Sequence, residues 1–154
     1  MMTRVKEADR GPEKTAGADV ELYQLVAQEL LAALPLEELL WEVVRVIAER
    51  LNLEFVCLAL HEGGALRFRA AHGVTGLDER FYDEHAEECN LSINQGLTGR
   101  AVRERTIQLA QNVAEDPDYF PVSFLPDTRA EIAVPVIRGD QVLAVLDAES
   151  PRSG

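Results

Sequence analysis

Apolar residues at helical spacing predict two helices in the first third of the chain. In Val20–Leu34 an apolar stripe recurs every three or four residues, and further leucines lie off that stripe. Pro35 interrupts the pattern, which resumes through Leu36–Asn52. Helices that are apolar on more than one side are expected either to be deeply buried or to pack against a partner helix, within the fold or from a second copy of the chain.

Alternating apolar and polar residues follow, and they predict an antiparallel sheet. Glu54–His61 and Ala65–His72 alternate on either side of a glycine pair, which is a hairpin pattern. Thr75–Glu88 is acidic and is predicted to be partly helical. The other predicted elements are a short strand, a short helix, a second short strand and an aromatic, proline-punctuated loop: Asn90–Ile93, the helix that starts at Gly96, Ile107–Ala110 and Asn112–Pro126.

A last hairpin, Arg129–Glu149, closes the predicted sheet. Gly139 and Asp140 suit the central positions of a type II′ turn, because glycine accepts the positive φ that the first of them requires. A two-residue turn at this place predicts that Ile137 pairs with Val142.

The register of this hairpin decides which side chains share a face. Continued outward without interruption, it pairs Val136 with Leu143 and leaves one bulky face and one small face. The first strand shows the same asymmetry, with Phe55, Cys57 and Ala59 on its smaller side. The small face of the hairpin is predicted to carry Glu131, Ala133, Pro135, Ile137, Val142, Ala144, Leu146 and Ala148.

The order of the elements predicts an α+β fold: a central antiparallel sheet, the N-terminal helices on one face and a loop-covered hollow on the other. The bulky faces would pack on the helices, and the small faces would leave space that must be filled. Either the aromatic loop fills it, or a ligand lies beneath that loop. Glu131, a carboxylate at the rim of an apolar wall, favours a ligand; Arg129 and the first turn of the Gly96 helix are its candidate partners within the fold.

Composition and charge restrict the class of protein. Apolar residues make up 47% of the 154 residues and charged residues 27%, which is typical of one globular domain. The first eighteen residues have almost no large apolar side chains, so we expect a disordered tail over 1–18, a single domain over 19–150 and a short tail over 151–154. A net charge of −12 disfavours nucleic acid and membrane surfaces as partners.

Cysteine and histidine usage predicts neither a disulfide scaffold nor a metal site. Two cysteines, Cys57 and Cys89, are too few for a disulfide scaffold. His85 and Cys89 are four residues apart, but no second pair of possible metal ligands lies nearby in the sequence. No apolar run suits an export signal or a membrane span, so a cytoplasmic protein is expected. No cofactor is predicted.

Three motifs in sequence resemble the GAF domain family: GLTGRAV (Gly96–Val102), QLAQNVAEDPDYF (Gln108–Phe120) and TRAEIAVPVIRGDQVLAVLDAES (Thr128–Ser150). The resemblance implies a PAS-like fold with a small-molecule pocket between sheet and loops, and a role as a sensor and dimerisation module in signal transduction. It implies two partners besides the ligand, a second copy held through the N-terminal helices and a signalling protein. No kinase, phosphodiesterase or DNA-binding segment follows, so either a stand-alone GAF protein or an excised module is expected.

The resemblance also indicates where a ligand would bind and which ligands fit poorly. Cyclic nucleotides are disfavoured because the part of the chain after the tail has no lysine, and bilins because it has no Cys-His dipeptide. A haem would need a larger pocket than the small faces predict. The candidate ligand-binding residues are Phe55, Cys57, Thr98, Tyr119, Phe120, Phe124, Arg129, Glu131 and Ala144.

One GAF subfamily, the free methionine sulfoxide reductases, is enzymatic. The resemblance to the family therefore makes this reductase activity an alternative function. Sulfoxide reduction needs an attacking thiolate and a resolving thiol, and Thr98 stands at one of the subfamily's cysteine positions. Cys89 lies near another, whereas Cys57 is expected to be an inert, buried strand residue. Asp147 and Glu149 show no acid/base partner and are expected to be solvated. The sequence favours a non-enzymatic binding module, with the reductase and a purely structural module with a filled pocket as alternatives.

Overall fold

The computed structural model describes residues 35–74 and 79–153. The predicted tail over 1–18 and the predicted helix Val20–Leu34 lie outside the described residues. The described helices and strands belong to one compact unit, Leu36–Gly154. They are α1 (Leu36–Leu51), β1 (Phe55–Glu62), β2 (Ala65–His72), α2 (Glu79–Glu84), α3 (Ala86–Cys89), β3 (Asn90–Ser92), α4 (Gly96–Glu104), β4 (Gln108–Ala110), a 3₁₀ turn (Val113–Glu115), β5 (Ala130–Arg138) and β6 (Gln141–Ser150).

The six strands form one antiparallel sheet in the order β3-β2-β1-β6-β5-β4. This confirms the predicted α+β fold with a central antiparallel sheet, and the described elements begin and end close to where the sequence pattern places them. None of the described helices is long and apolar enough to cross a membrane.

The helix α1 covers one face of the sheet because its apolar residues repeat at intervals of four. Leu40, Val44 and Ala48 are buried, and they pack against β1 and β2 on the face that carries Val56 and Leu58. The helix α4 packs on the opposite face, where its own apolar side contacts the alanines and valines of β1, β5 and β6. The sheet is therefore covered on both faces.

The β5–β6 hairpin has the predicted turn but not the predicted register. Gly139 has a φ of 58°, and Ile137 pairs with Val142 as expected. The pairing then shifts by one residue, so that Val136 pairs with Ala144 rather than with Leu143. The prediction of uninterrupted pairing is wrong because β6 contains a β-bulge, in which one extra residue stands opposite a single partner.

The bulge exchanges the two faces of β6 beyond the turn, because strand side chains alternate with a period of two. Ala144 and Ala148 lie on the α1 face, inside the core that α1 forms with β1. Val145, Asp147 and Glu149 face the other way, beside Ala59, Cys57 and Phe55 of β1. The expected division of β1 is confirmed: Val56 and Leu58 face α1, whereas Phe55, Cys57 and Ala59 face away from it.

A larger side chain at position 144 tests this register. Ala144→Leu is expected to lower the free energy of unfolding by about 1–3 kcal/mol in urea titrations, since Ala144 is only 4% exposed and additional atoms would overpack the α1 interface. Its cross-strand partner offers the matched control: Val136→Leu, at a position that is 42% exposed, should change the stability by less than about 0.5 kcal/mol. An Ala144→Leu variant as stable as the wild type would contradict the bulged register.

Candidate functional site

Three acidic side chains share the sheet face opposite α1. Glu131 on β5 is the cross-strand partner of Glu149 on β6, and Asp147 lies two residues further along β6, between Ala133 and Cys57. The exposed fractions of Glu131, Asp147 and Glu149 are 6%, 2% and 8%. The expectation that Asp147 and Glu149 are solvated is wrong, because the β6 bulge turns both toward the interior. We call these three residues the carboxylate cluster.

The segment 111–129, here called the lid, crosses this face beside α4. Tyr119 packs against the core that includes α4, and Phe124 packs on Phe55 and Cys57. The aromatic loop and α4 therefore fill space above the small side chains of the sheet, and the carboxylate cluster lies beneath them. Close packing of protein side chains thus excludes water from the acidic groups.

The first turn of α4 closes this arrangement at one end. Thr98 is 3% exposed. A Cβ placed on Gly96 would lie 3.4 Å from Thr98 Oγ1 and 3.6 Å from Phe120 Cβ, so helix and lid meet at this glycine. Two of the candidate ligand-binding residues, Thr98 and Phe120, therefore lie close together where the helix and the lid meet.

Two candidate residues lie away from the carboxylate cluster. Ala144 packs on the α1 face, as the bulge dictates, and so does not line the space beneath the lid. Arg129 has an exposed side chain and forms no ion pair with Glu131 within the described part of the chain. Its role is in the backbone, where its N–H donates to Ser150 O and its C=O accepts from Val113 N.

The polar contacts of the carboxylate cluster are few. Cys57 Sγ lies 3.9 Å from Asp147 Oδ2, a weak hydrogen bond, and the Thr128 hydroxyl donates to Glu149 Oε2 at 2.5 Å. Asp147 Oδ1 is buried and accepts no hydrogen bond from a fixed N–H or O–H donor of the described residues, and the Asp147 and Glu131 side chains lie close enough to share a retained proton. No arginine or histidine of residues 35–74 and 79–153 forms an ion pair with the cluster. Its negative charge therefore lacks a neighbouring cation in this part of the protein.

Burial and mutual repulsion raise the pKa values of the cluster. Burial, reinforced by the charge of Glu149, raises the pKa of Glu131 to about 8. Burial likewise raises the pKa of Glu149 to about 7. Burial first, and then the charges of Glu131 and Glu149, hold the pKa of Asp147 well above its ordinary value of 3.8. Near neutral pH the cluster therefore retains protons, which relieves the repulsion among its members.

Both cysteines are free thiols in buried positions. Burial, with smaller contributions from Asp147 and the two glutamates of the cluster, raises the pKa of Cys57 well above 9.0. Burial raises the pKa of Cys89 to about 11. Both thiols are therefore protonated at neutral pH, and the thiolate needed for nucleophilic attack is disfavoured.

A surface pocket of about 240 Å³ reaches one member of the carboxylate cluster. Glu149 lines it together with Phe55 and the five lid residues 124–128. Glu131 and Asp147 do not line it and lie under the lid. In the described part of the chain, no group of three or more histidine, cysteine, aspartate or glutamate residues is arranged to hold a metal ion.

The alternation of the sequence identifies Glu131 but misassigns the other two acids. The signal for them lies in β6 itself: Asp147 and Glu149 stand two and four residues after Val145, and so share its face. Val145 is fully buried in the core beneath α4. Assigning Val145 to that face, instead of extrapolating from the turn, identifies the complete cluster.

Comparisons with known proteins agree with this architecture. A family model described as GAF domain matches residues 33–154. No curated protein matches the chain. Among solved structures, the GAF domain of an Acinetobacter phosphoenolpyruvate-protein phosphotransferase is 16% identical with a TM-score of 0.67, covering 89% of this chain and 79% of that one. The GAF domain of the corresponding Coxiella burnetii protein is 20% identical with a TM-score of 0.68, covering 92% of this chain and 82% of that one.

The same fold occurs in an enzyme among these structures. The free methionine-R-sulfoxide reductase from Neisseria meningitidis, solved in complex with its substrate, is 18% identical with a TM-score of 0.65, covering 99% of this chain and 81% of that one. At such low identities the likeness demonstrates the fold and leaves the activity open.

The carboxylate cluster makes the stability depend on pH. The pKa values of Glu131 and Glu149 are higher in the folded state than in the unfolded state. The stability that these two groups contribute is therefore fully present below about pH 4.5 and is lost as the pH rises through about 7–8. The Tm of the ligand-free protein is therefore expected to fall between pH 5.5 and pH 8.5, and Glu131→Gln combined with Glu149→Gln should flatten this dependence. Glu62→Gln, with a side chain that is 41% exposed, is the control. An unchanged profile in the double variant would contradict the assignment.

Proposed function

Because the chain belongs to the GAF domain family, we propose that it is a non-enzymatic sensor module that binds a small, positively charged molecule. The family and the fold support a ligand-binding, signalling type of module. The charge of the ligand is inferred from the carboxylate cluster, and the observation that carries it is the buried, unpartnered oxygen Oδ1 of Asp147.

Electrostatics favours a cation at this place. Three carboxylates removed from water destabilise one another unless protons or a cation neutralise them. An anion would add to the repulsion, so phosphate-bearing and carboxylate-only ligands fit poorly. A cation supplied by a ligand would replace the retained protons and would also provide hydrogen-bond donors that Asp147 Oδ1 lacks.

A primary ammonium group on a small organic molecule suits the site best. An ammonium has three N–H donors, which matches a group of carboxylates on adjacent strands. The apolar part of such a ligand would pack on Phe55 and Phe124, which flank the approach to Glu149. The described residues hold no metal-ligating constellation, which favours an organic cation over a metal ion.

Dimerisation, a cytoplasmic location and a signalling partner stay predictions. The helix Val20–Leu34, which the dimer prediction invokes, lies outside the described residues. In α1, Trp41 and Val46 are 38% and 39% exposed, and this apolar surface is available to a second copy.

A matched pair of probes tests the ligand class. The Tm is expected to rise with n-butylammonium but not with butyrate, which has a similar carbon chain and the opposite charge. At a ligand concentration of 100 Kd the stabilisation corresponds to about 2.7 kcal/mol. Because the cation displaces protons, its affinity measured by calorimetry should increase as the pH rises from 6 to 8.5.

Asp147→Asn is the decisive variant for this proposal. It keeps the shape of the side chain and removes the charge, so the Tm shift with n-butylammonium should be lost, while the ligand-free protein should be at least as stable as the wild type. Glu62→Gln should retain the full shift. Stabilisation by butyrate, or an undiminished n-butylammonium response in Asp147→Asn, would refute a cation site.

The second candidate function is a thiol-dependent reductase of free methionine sulfoxide. It is favoured by the shared fold of the Neisseria meningitidis enzyme and by two free cysteines, Cys57 and Cys89. Their raised pKa values argue against it. In the reaction, a thiolate takes the sulfoxide oxygen as a sulfenic acid, a second thiol displaces water to form a disulfide, and thioredoxin reduces that disulfide.

Turnover decides between the two functions. With NADPH, thioredoxin reductase and thioredoxin, we expect no NADPH oxidation above background upon addition of methionine sulfoxide. Turnover that disappears in Cys89→Ser, but persists in a surface control such as Glu62→Gln, would establish the reductase in place of the non-enzymatic module.

A further inference from the structure

The lid is held at its two ends by contacts of different strength. At the first end, Arg100 of α4 binds two lid carboxylates. Its Nη1 and Nη2 donate to Asp116 Oδ1 and Oδ2 at 3.0 and 2.8 Å, and Nη1 also donates to Asp118 Oδ2 at 3.0 Å. Its Nε donates to Gln108 Oε1 at 2.7 Å. The Arg100 and Asp116 side chains are 17% and 14% exposed.

This first contact is a fixed anchor. A two-pronged guanidinium–carboxylate pair is among the strongest hydrogen-bonded arrangements in proteins, and partial burial reduces competition from water. The hydrogen bond of the guanidinium also lowers the pKa of Asp116, so the pair stays charged at neutral pH. Val113 N donates to Arg129 O at 2.8 Å and holds the preceding turn against the start of β5.

The hydrogen bonds of the second contact depend on a single carboxylate, and the Phe124 ring adds edge-on packing against Phe81, with ring centroids 5.1 Å apart. Glu88, on the four-residue helix α3, accepts hydrogen bonds from the backbone N–H of Ser123 and from its hydroxyl, the latter at 2.9 Å. His85 Nδ1 lies 2.8 Å from Glu88 Oε2. The Phe124 ring packs edge-on against His85, with ring centroids 5.2 Å apart. Ser123 is exposed, so water can take the place of Glu88 at both of its donors.

The weaker end stands beside the pocket that reaches Glu149. Phe124, Leu125 and Thr128 form one wall of this pocket, and the Thr128 hydroxyl donates to Glu149. Movement of the 119–128 half of the lid would break this bond, uncover Glu149 and open the way to Asp147, the next inward-facing residue of β6. Residues 111–118 could keep their place, because Arg100 holds them independently.

We propose that the lid is a gate anchored at Arg100 and released at Glu88, so that residues 119–128 swing away from the sheet and a cationic ligand reaches the carboxylate cluster beside Phe124. The cationic nature of the ligand rests on the proposed function, whereas the movement of the lid is independent of it.

Hydrogen exchange of the ligand-free protein, measured by mass spectrometry, tests the gate alone. Glu88→Ala should speed amide exchange across 119–128 about tenfold, as expected when hydrogen bonds to a charged group are lost. Exchange across 111–118 should stay at the wild-type rate. Arg100→Met should have the opposite effect: amide exchange should accelerate more across 111–118 than across 119–128. Glu87→Ala, an exposed neighbour on α3, is the matched control and should change neither half.

A second variant keeps the test valid if Glu88→Ala perturbs folding. Ser123→Ala removes the hydroxyl, one of the two donors to Glu88, from an exposed position. It should also speed amide exchange across 119–128, by a smaller factor than Glu88→Ala does. If neither variant accelerates 119–128, or if Glu88→Ala accelerates both halves equally, the lid does not open from this end and the proposal is overturned.

Ligand kinetics separates the gate from the ligand class. Stopped-flow mixing with n-butylammonium should give a faster association rate in Glu88→Ala than in the wild type. If n-butylammonium binds to none of these proteins while the exchange pattern is as expected, the gate stands and the cation site falls. An association rate unchanged in Glu88→Ala would place the entrance elsewhere and overturn the route.

Discussion

The lid and α4 keep water away from three acidic side chains on one face of the sheet, and the other features of the site follow from this burial. Glu131 and Glu149 are direct cross-strand partners, an arrangement that is destabilising when both are charged. Asp147 adds a third carboxylate with one oxygen unsatisfied. A face built only for stability would carry apolar residues here, as the opposite face does around Ala144 and Ala148. Retaining acids under a packed lid is typical of a site that trades stability for binding.

The arginine whose charge acts on Glu131 already binds other carboxylates. Arg100 is bound to Asp116 and Asp118 of the lid, and its effect on Glu131 is weaker than that of Glu149. The protein therefore uses this partly buried cation to fix the lid and leaves the acids beneath it without a counterion among the described residues. The net charge of −12 acts in the same sense, because a negative field raises the concentration of cations near the surface and lowers that of anions.

The sequence was sufficient for the fold and for one acid of the cluster, for reasons that differ between residues. The spacing of Leu40, Val44 and Ala48 and the glycine at position 139 are local signals, and local signals predicted α1 and the turn. The bulge carries no such signal, because β6 is apolar on both faces through Leu143 and Ala144, so that either register buries apolar side chains. The Arg100–Asp116 pair joins residues sixteen positions apart across a loop, and the alternation of apolar and polar residues along the chain does not predict such contacts.

The extra residue in β6 also has an evolutionary consequence. Leu143 is the residue without a partner, so a deletion that removed it would join Val142 to Ala144 and leave Glu131 opposite Glu149. A hairpin of the present length that paired without the bulge would instead turn two alanines and a leucine toward the lid, with every amino acid unchanged. Among relatives of similar fold, the acids that face the lid are therefore identified by the position of the bulge as well as by the amino acids of the strand.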